Sequence, residues 1–390
     1  MKKKILLTLS YILVAAAAAM VTLTLTMTMP IRVSGKSTTS KLDELETLIL
    51  ERFIGEADRT AMEDAAAEAM VDSLGDRWSY YIAAEDYEAY QEQMENAFVG
   101  VGITIQVTEE NAGMLVVDVT KGGPAEEAGI LVGDVLTAVE GTRIEGMETA
   151  DVRNLVRGQE GTRVELTVSR EGKEMTFPVE RRRIEIPVAT YSMLEKQVGL
   201  VRIENFDQRC AQETIAAIEA LLEQGAQSLI FDLRGNPGGY ADELVKILDY
   251  LLPEGDLFRT VDYAGREHVD TSDKKCLKMP MAVLVNEDSY SAAEFFAAAL
   301  REYDWAVIVG QKTCGKGYFQ NTLPLSDGSA VGLSVGKYFT PKGESLAGVG
   351  ITPDLTVEVD EETRMQIYYG RLPIEEDVQL EAALELLETE

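Results

Sequence analysis

Residues 281–301 read MAVLVNEDSYSAAEFFAAALR. Five apolar residues in a row, 281–285, mark a strand buried on both faces, and the alanine-rich run from residue 292 has helical character after a short polar turn. The same order recurs around it, with strands at 198–203, 228–233 and 306–309 and helices at 211–222 and 242–252. Strand and helix in alternation predict a largely parallel α/β core over residues 183–360. The strand at 330–335 and the hairpin-like stretch before it decorate that core, and an acidic helical tail, 361–390, closes the chain.

Upstream the pattern changes. From Val99 short alternating strands, 103–107 and 114–119, are broken by Gly and Pro clusters, which predicts a β-rich module over 98–182. Before it, Leu42, Leu45, Leu48 and Ile49, then Met62, Ala66, Met70 and Leu74, fall at helical spacing, so residues 41–97 read as a small helical domain. A polar linker, 31–40, precedes this. Lys2, Lys3 and Lys4 stand before an uncharged run of 25 residues, 5–29, more than the ~20 a helix needs to cross a bilayer. Residues 1–30 thus read as a signal anchor with everything beyond it outside the cytoplasm, on a single-pass cell-membrane protein. The alternative is cleavage after the alanine run 15–19, releasing a secreted or periplasmic protein.

The chain has 390 residues, 46% of them hydrophobic, which suits two or three domains with real cores. Its net charge of −31 argues against nucleic acid, whose binding needs clustered Lys and Arg, and against an anionic lipid surface. Acidic flanks at 41–95 and 360–390 carry most of that charge and read as solvated helix faces. Cys210, Cys276 and Cys314 are widely spaced without a Cys-x-x-Cys pair, so neither a zinc site nor a disulfide framework is indicated. Cys314 reads as a packed thiol.

The single histidine, His268, lies in a polar stretch expected to be a surface loop. A histidine-based serine triad is therefore disfavoured, and a hydrolase would need another base. Lysine serves when burial lowers its pKa from about 10.4 toward 7 to 8. Lys316, in Thr-Cys-Gly-Lys-Gly-Tyr-Phe-Gln, best fits an apolar, glycine-bearing turn. The same stretch nearly matches a phosphate-binding loop, but Gly317 stands where Ser or Thr would hold magnesium, and a strand pattern follows where a helix is needed. Ser291 stands where strand, turn and helix meet, a place for a nucleophile. With Glu294 three residues on, it also fits a helix capping box, and the local residues leave both readings open. Asp-Leu-Arg-Gly-Asn-Pro-Gly-Gly, 232–239, is a glycine-rich turn whose N–H groups could approach an oxyanion.

Together these motifs resemble the C-terminal processing peptidases, or tail-specific proteases, a serine-lysine family with a PDZ insertion. The resemblance spans about residues 42–387. It implies an α+β multidomain fold: a helical N-terminal segment, a PDZ domain, a crotonase- or ClpP-like α/β protease core and a helical tail. In that family the serine lies in an Asn-x-x-Ser-x-Ser-x-x-Glu segment, the lysine 25 residues later in Gly-Lys-Gly, and a glutamine four further on; this chain keeps both spacings. The resemblance implies Ser291 as nucleophile, Lys316 as base and Gln320 as the group orienting the lysine. Backbone N–H groups of Gly238 or Gly239, with that of Ala292, are the implied oxyanion donors. Val99, Gly100, Val101, Gly102 and Ile103 match the PDZ carboxylate-binding loop, which captures a peptide C-terminus as an added β-strand and here favours an apolar last residue. Arg157 matches an arginine that couples PDZ and active site in some relatives. Tyr290, Ala293 and Cys314 depart from the usual pattern without removing a reacting group.

The expected activity is endopeptidase cleavage of extracytoplasmic proteins with apolar C-termini, without metal or organic cofactor. The helical flanks are candidates for a homodimer contact. The rival reading is a non-catalytic PDZ scaffold that binds extracytoplasmic C-termini. A crotonase-like enzyme acting on small thioesters fits the core but leaves the PDZ module without a purpose.

Overall fold

The computed structural model describes residues 40–108 and 112–388; the expected anchor at 1–30 lies outside them. Among the described residues no helix is long and apolar enough to cross a membrane. The chain divides into two units, residues 1–67 and 68–390.

In the first unit Ser40 and Asp43 form a reciprocal cap on the helix Lys41–Arg52, each side chain accepting the other's backbone N–H at 3.2 and 2.9 Å. Neither this helix nor Arg59–Asp72 contains a buried residue, and Leu45 is 52% exposed. The helical spacing read from the leucines holds, but these helices carry no packed core of their own.

In the second unit the chain turns at 75–79 into the strand Tyr80–Ile82 and the helix Tyr87–Met94, where the sequence reading continued a purely helical domain. The β-rich module follows. The strands Ile103–Val107, Met114–Val119, Val135–Val139, Arg163–Arg170 and Lys173–Glu180 form an antiparallel sheet in that order, with Thr142–Arg143 pairing off the third. Alternate residues such as Val164, Leu166 and Val168 point to one face and are fully buried with Met114, Val116 and Leu136. The entry and exit strands, Ala97–Gly100 and Arg182–Glu185, pair with each other and staple the module to the chain on either side.

The larger core is the parallel sheet that the apolar runs imply. Its order is Ala189–Met193, Val198–Ile203, Ser228–Asp232, Met281–Val285, Val307–Gly310 and Leu355–Thr356, parallel throughout except for the first pair. Because side chains alternate along a strand, Phe231, Val283 and Val285 face the helices Cys210–Glu223, Ala241–Leu251 and Ala292–Glu302. Ile230, Ala282 and Leu284 face the opposite way and pack on Leu380 and Ala383 of the closing helix Val378–Glu388. Both faces are covered, which explains the unbroken apolar strands.

A second sheet stands beside this core, in which Ala330–Phe339 pairs with Tyr80–Ile82, Gly255–Asp262 and Tyr318–Pro324. His268 lies in its strand Glu267–Ser272 and not in a loop; the imidazole stays exposed and pairs with Asp270 at 3.1 Å.

Candidate active site

The turns after two neighbouring parallel strands build the site, as expected at the C-terminal edge of an open α/β sheet. Side chains lace them together: Asn286 Oδ1 accepts the Gly235 N–H (2.9 Å), Ser289 Oγ donates to the Leu233 carbonyl (2.7 Å), and the Tyr290 N–H donates to the Asn236 carbonyl (3.1 Å). At the end of this turn Ser291 has φ 58° and ψ −126°. A non-glycine residue held there stores roughly 1–3 kcal/mol of strain, the signature of a sharp strand-to-helix elbow and not of an ordinary N-cap. The cap interactions engage the main chain of Ser291: its N–H donates to Glu294 Oε2 (3.1 Å) and its carbonyl accepts the Glu294 N–H (2.9 Å).

Gly238 lies directly against this elbow. A Cβ there would stand 2.6 Å from Ser291 Cβ and 3.0 Å from the Ala292 nitrogen, so only glycine permits the approach. The Gly238 N–H donates to Asn236 Oδ1 at 2.8 Å. Among the described residues, the Gly239 and Ala292 N–H groups have no acceptor. Of the two glycines read as candidates, Gly239 is the one with a free donor.

Lys316 comes from the loop after Val307–Gly310, which leads into the strand Tyr318–Pro324 and so lacks the helix of a phosphate-binding loop. A Cβ at Gly317 would stand 2.6 Å from the Ala347 nitrogen, showing how tightly the loop is packed. Burial depresses the Lys316 pKa, while Cys314, Asp76 and Glu294 push it the other way without restoring it. Its Nζ lies 4.8 Å from the Trp78 ring centre and 5.9 Å from that of Tyr290. Gln320 Nε2 donates to the Tyr318 carbonyl (3.1 Å) and Ser334 Oγ (3.0 Å), which leaves its carbonyl oxygen as the end able to receive an ammonium. Ser291, Lys316, Gln320, Gly238 and Gly239 all line one cleft of about 740 Å³.

Glu294 joins the two halves. Fully buried, it accepts the backbone N–H groups of Ser291 (3.1 Å), Gly315 (2.8 Å) and Lys316 (2.8 Å) and the hydroxyl of Thr313. Burial pushes its carboxyl up, against the pull of these hydrogen bonds. The capping-box pattern hinted at Glu294 but gave it a purely local task. Other cleft residues were unread in the sequence. Tyr80, Tyr90 and Thr322 hydroxyls contact one another at 2.9–3.0 Å along one wall. Asp207, 6% exposed beside the glycine turn, has its pKa pushed up to about 7 by burial.

The PDZ candidates are more scattered. Val99 and Gly100 pair with Arg183 and Arg182, Gly102 has φ 77°, and Ile103 opens the first sheet strand. Val101 is 2% exposed within the module's core. Arg157 ends the helix Thr149–Val156 and pairs with Glu92 at 3.0 Å. Glu92 sits on Tyr87–Met94, whose Gln91, Gln93 and Met94 line the cleft.

A model of peptidase family S41 matches residues 197–357, and a PDZ domain model matches 115–170. The carboxy-terminal processing protease CtpA of Bacillus subtilis is 32% identical over 343 residues, covering 87% of this chain and 72% of that protein. A probable CtpA-like serine protease of Staphylococcus aureus (strain N315) is 33% identical over 336 residues, covering 84% of this chain and 67% of that protein. The crystal structure of a putative S41 protease from Bacteroides fragilis aligns with a TM-score of 0.54 at 18% identity, covering 89% of this chain and 97% of that one, a likeness of fold.

Proposed function

This chain belongs to the C-terminal processing peptidases of family S41, serine-type enzymes acting on protein or peptide substrates, and we propose that its chemistry runs on Ser291 and Lys316. The observation that carries this reading is the pairing of a strained serine elbow with a lysine whose pKa is lowered by burial, both facing one cleft and both tied to Glu294.

Neutral Lys316 takes the Ser291 hydroxyl proton as Oγ attacks the scissile carbonyl. The oxyanion accepts hydrogen bonds from the Gly239 and Ala292 N–H groups, whose positive helix end adds to the stabilisation. The lysine ammonium, oriented by the Gln320 carbonyl oxygen, gives its proton to the leaving amine. Water, deprotonated by the same lysine, then releases the acyl group.

The PDZ module presents the substrate's C-terminus, adding it as a strand beside the loop at 99–103. Arg157 transmits occupancy through Glu92 to the helix Tyr87–Met94 at the cleft wall. Residues 1–30 anchor the enzyme, its substrates are extracytoplasmic proteins with apolar C-termini, and the helical flanks provide a homodimer contact, the N-terminal one through its exposed leucines.

Two otherwise identical unstructured polypeptides with an apolar last residue, one ending in a free carboxylate and one in an amide, test the presentation step. The amide is expected to be cleaved with a kcat/KM about 10-fold lower, the loss of one charge-assisted anchoring site. Equal cleavage of the two contradicts C-terminal capture.

A further inference from the structure

We propose that the turn Asp76–Ser79, which precedes the PDZ module in sequence, is a positioning element for Lys316: Trp78 shields the lysine from water, and Asp76 anchors Gln320 through Ser79 and Ser334. The inference rests on Lys316 being the base and adds to it a part of the site that lies outside the segment matched to the peptidase family, 197–357.

The fold carries this turn to the site. The strand Tyr80–Ile82 pairs with Ala330–Phe339, register Tyr80 to Gly332, and a Cβ at Gly332 would stand 2.3 Å from the Tyr80 ring. This docking puts residues 76–79 against the hairpin that bears Gln320 and Ser334, which face each other across its strands. A hydrogen-bond chain then runs from turn to hairpin. Asp76 accepts the Trp78 N–H (3.2 Å) and the Ser79 hydroxyl (2.7 Å). The Ser334 N–H donates to Ser79 Oγ (3.1 Å), and Ser334 Oγ accepts from Gln320 Nε2 (3.0 Å). With its nitrogen held this way, Gln320 keeps one amide orientation, as a group steering an ammonium must. Burial works to raise the Asp76 pKa, but the hydrogen bonds it accepts outweigh it, so the carboxylate stays ionised at neutral pH.

Trp78 touches the base itself. Its ring lies 4.8 Å from Nζ and 6.0 Å, centre to centre, from Tyr290, so two aromatic rings cover the amine. The Arg77 guanidinium stacks on the same indole at 4.3 Å and reaches Cys314 Sγ at 4.0 Å. The charged and titratable groups acting on Nζ are Asp76 from the turn, Cys314 from its own loop and Glu294 from the nucleophile helix, with Tyr290 as the second ring over it. Cover by Trp78 strips water from the amine, which favours the neutral form over the pull of the ring face on a cation, and the Asp76 charge favours the ammonium. The two side chains therefore act on the same group in opposite directions.

That opposition gives a test a merely structural role would fail. kcat/KM against pH is measured for the full chain and for Trp78→Ala, Trp78→Phe, Asp76→Asn and Lys316→Ala, with thermal unfolding as a folding check. Trp78→Ala is expected to move the acid limb up by about one pH unit, costing about 10-fold at pH 7 and recovering above pH 10. Phenylalanine keeps the wild-type limb. Asp76→Asn is expected to move the limb down while lowering the plateau, because Gln320 loses its anchor. A uniform loss at every pH in Trp78→Ala, or an Asp76→Asn limb that stays in place, overturns the inference while Lys316→Ala remains inactive. Activity with an unmoved acid limb in Lys316→Ala would overturn the reading beneath it. Asp76→Asn alone decides the matter if Trp78→Ala does not fold.

Discussion

Methionine at Lys316 is expected to leave a protein that cleaves no peptide, with kcat reduced by about 10^4-fold or more, and yet is more stable than the wild type at neutral pH. The loss follows because Lys316 is the proposed base and no histidine replaces it: the single one is an exposed strand residue paired with Asp270. Removing one member of a nucleophile–base unit costs about as much as removing all of it. The gain in stability follows from linkage. The lysine's pKa is depressed in the fold, so between that value and about 10.5 the unfolded chain binds a proton that the folded chain does not. Wild-type stability therefore rises with pH across this window and is handicapped below it. Methionine, of similar length and without charge, removes the handicap. Urea unfolding at several pH values should show the variant's advantage largest below the depressed pKa of Lys316, vanishing as pH passes about 10.5. An advantage that does not change with pH would mean that Lys316 is not held in a neutralising environment.

Alanine at Glu294 is expected to be the most destabilising single substitution in the site, costing roughly 3–5 kcal/mol of the 5–15 that a domain typically has. Its carboxylate receives three backbone N–H groups and one hydroxyl in a fully buried position, and alanine would leave the three amides without acceptors. Activity should fall with stability, because those amides belong to Ser291, Gly315 and Lys316. Glutamine is a poor replacement. Its NH₂ would face two donors whichever way the amide turns, though Thr313 can reverse its hydroxyl. The expected order of urea midpoints is wild type, Glu294→Gln, Glu294→Ala. Glu294→Ala folding at wild-type stability would mean that the carboxylate is a surface-like cap.

The parallel core was legible because its strands are covered on both faces and so read as short apolar runs, 229–231 and 281–285 among them. The β-rich module was legible through alternation and glycine punctuation. The segment 76–94 was not. Its strand is three residues long, its partner lies some 250 residues away in sequence, and its acidic, alanine-rich surroundings give the periodicity of helix. The active-site wall it supplies therefore left no local signature. Glu294 hid differently, since the same residue three positions after a serine serves a helix cap and a bridge between chain segments. Ser291 is helix cap and elbow at once, and the strain that marks the elbow lies in backbone angles, which are not written in residue types.

The reading that joins all of this, a serine elbow served by a half-buried lysine, stands or falls on Ser291. The direct measurement is the initial rate at which the full chain and its Ser291→Ala variant, matched in thermal stability, cleave an unstructured polypeptide with an apolar free C-terminus. The account predicts no cleavage by the variant above the rate in buffer alone, whereas cleavage within about 10-fold of the wild-type rate would contradict it.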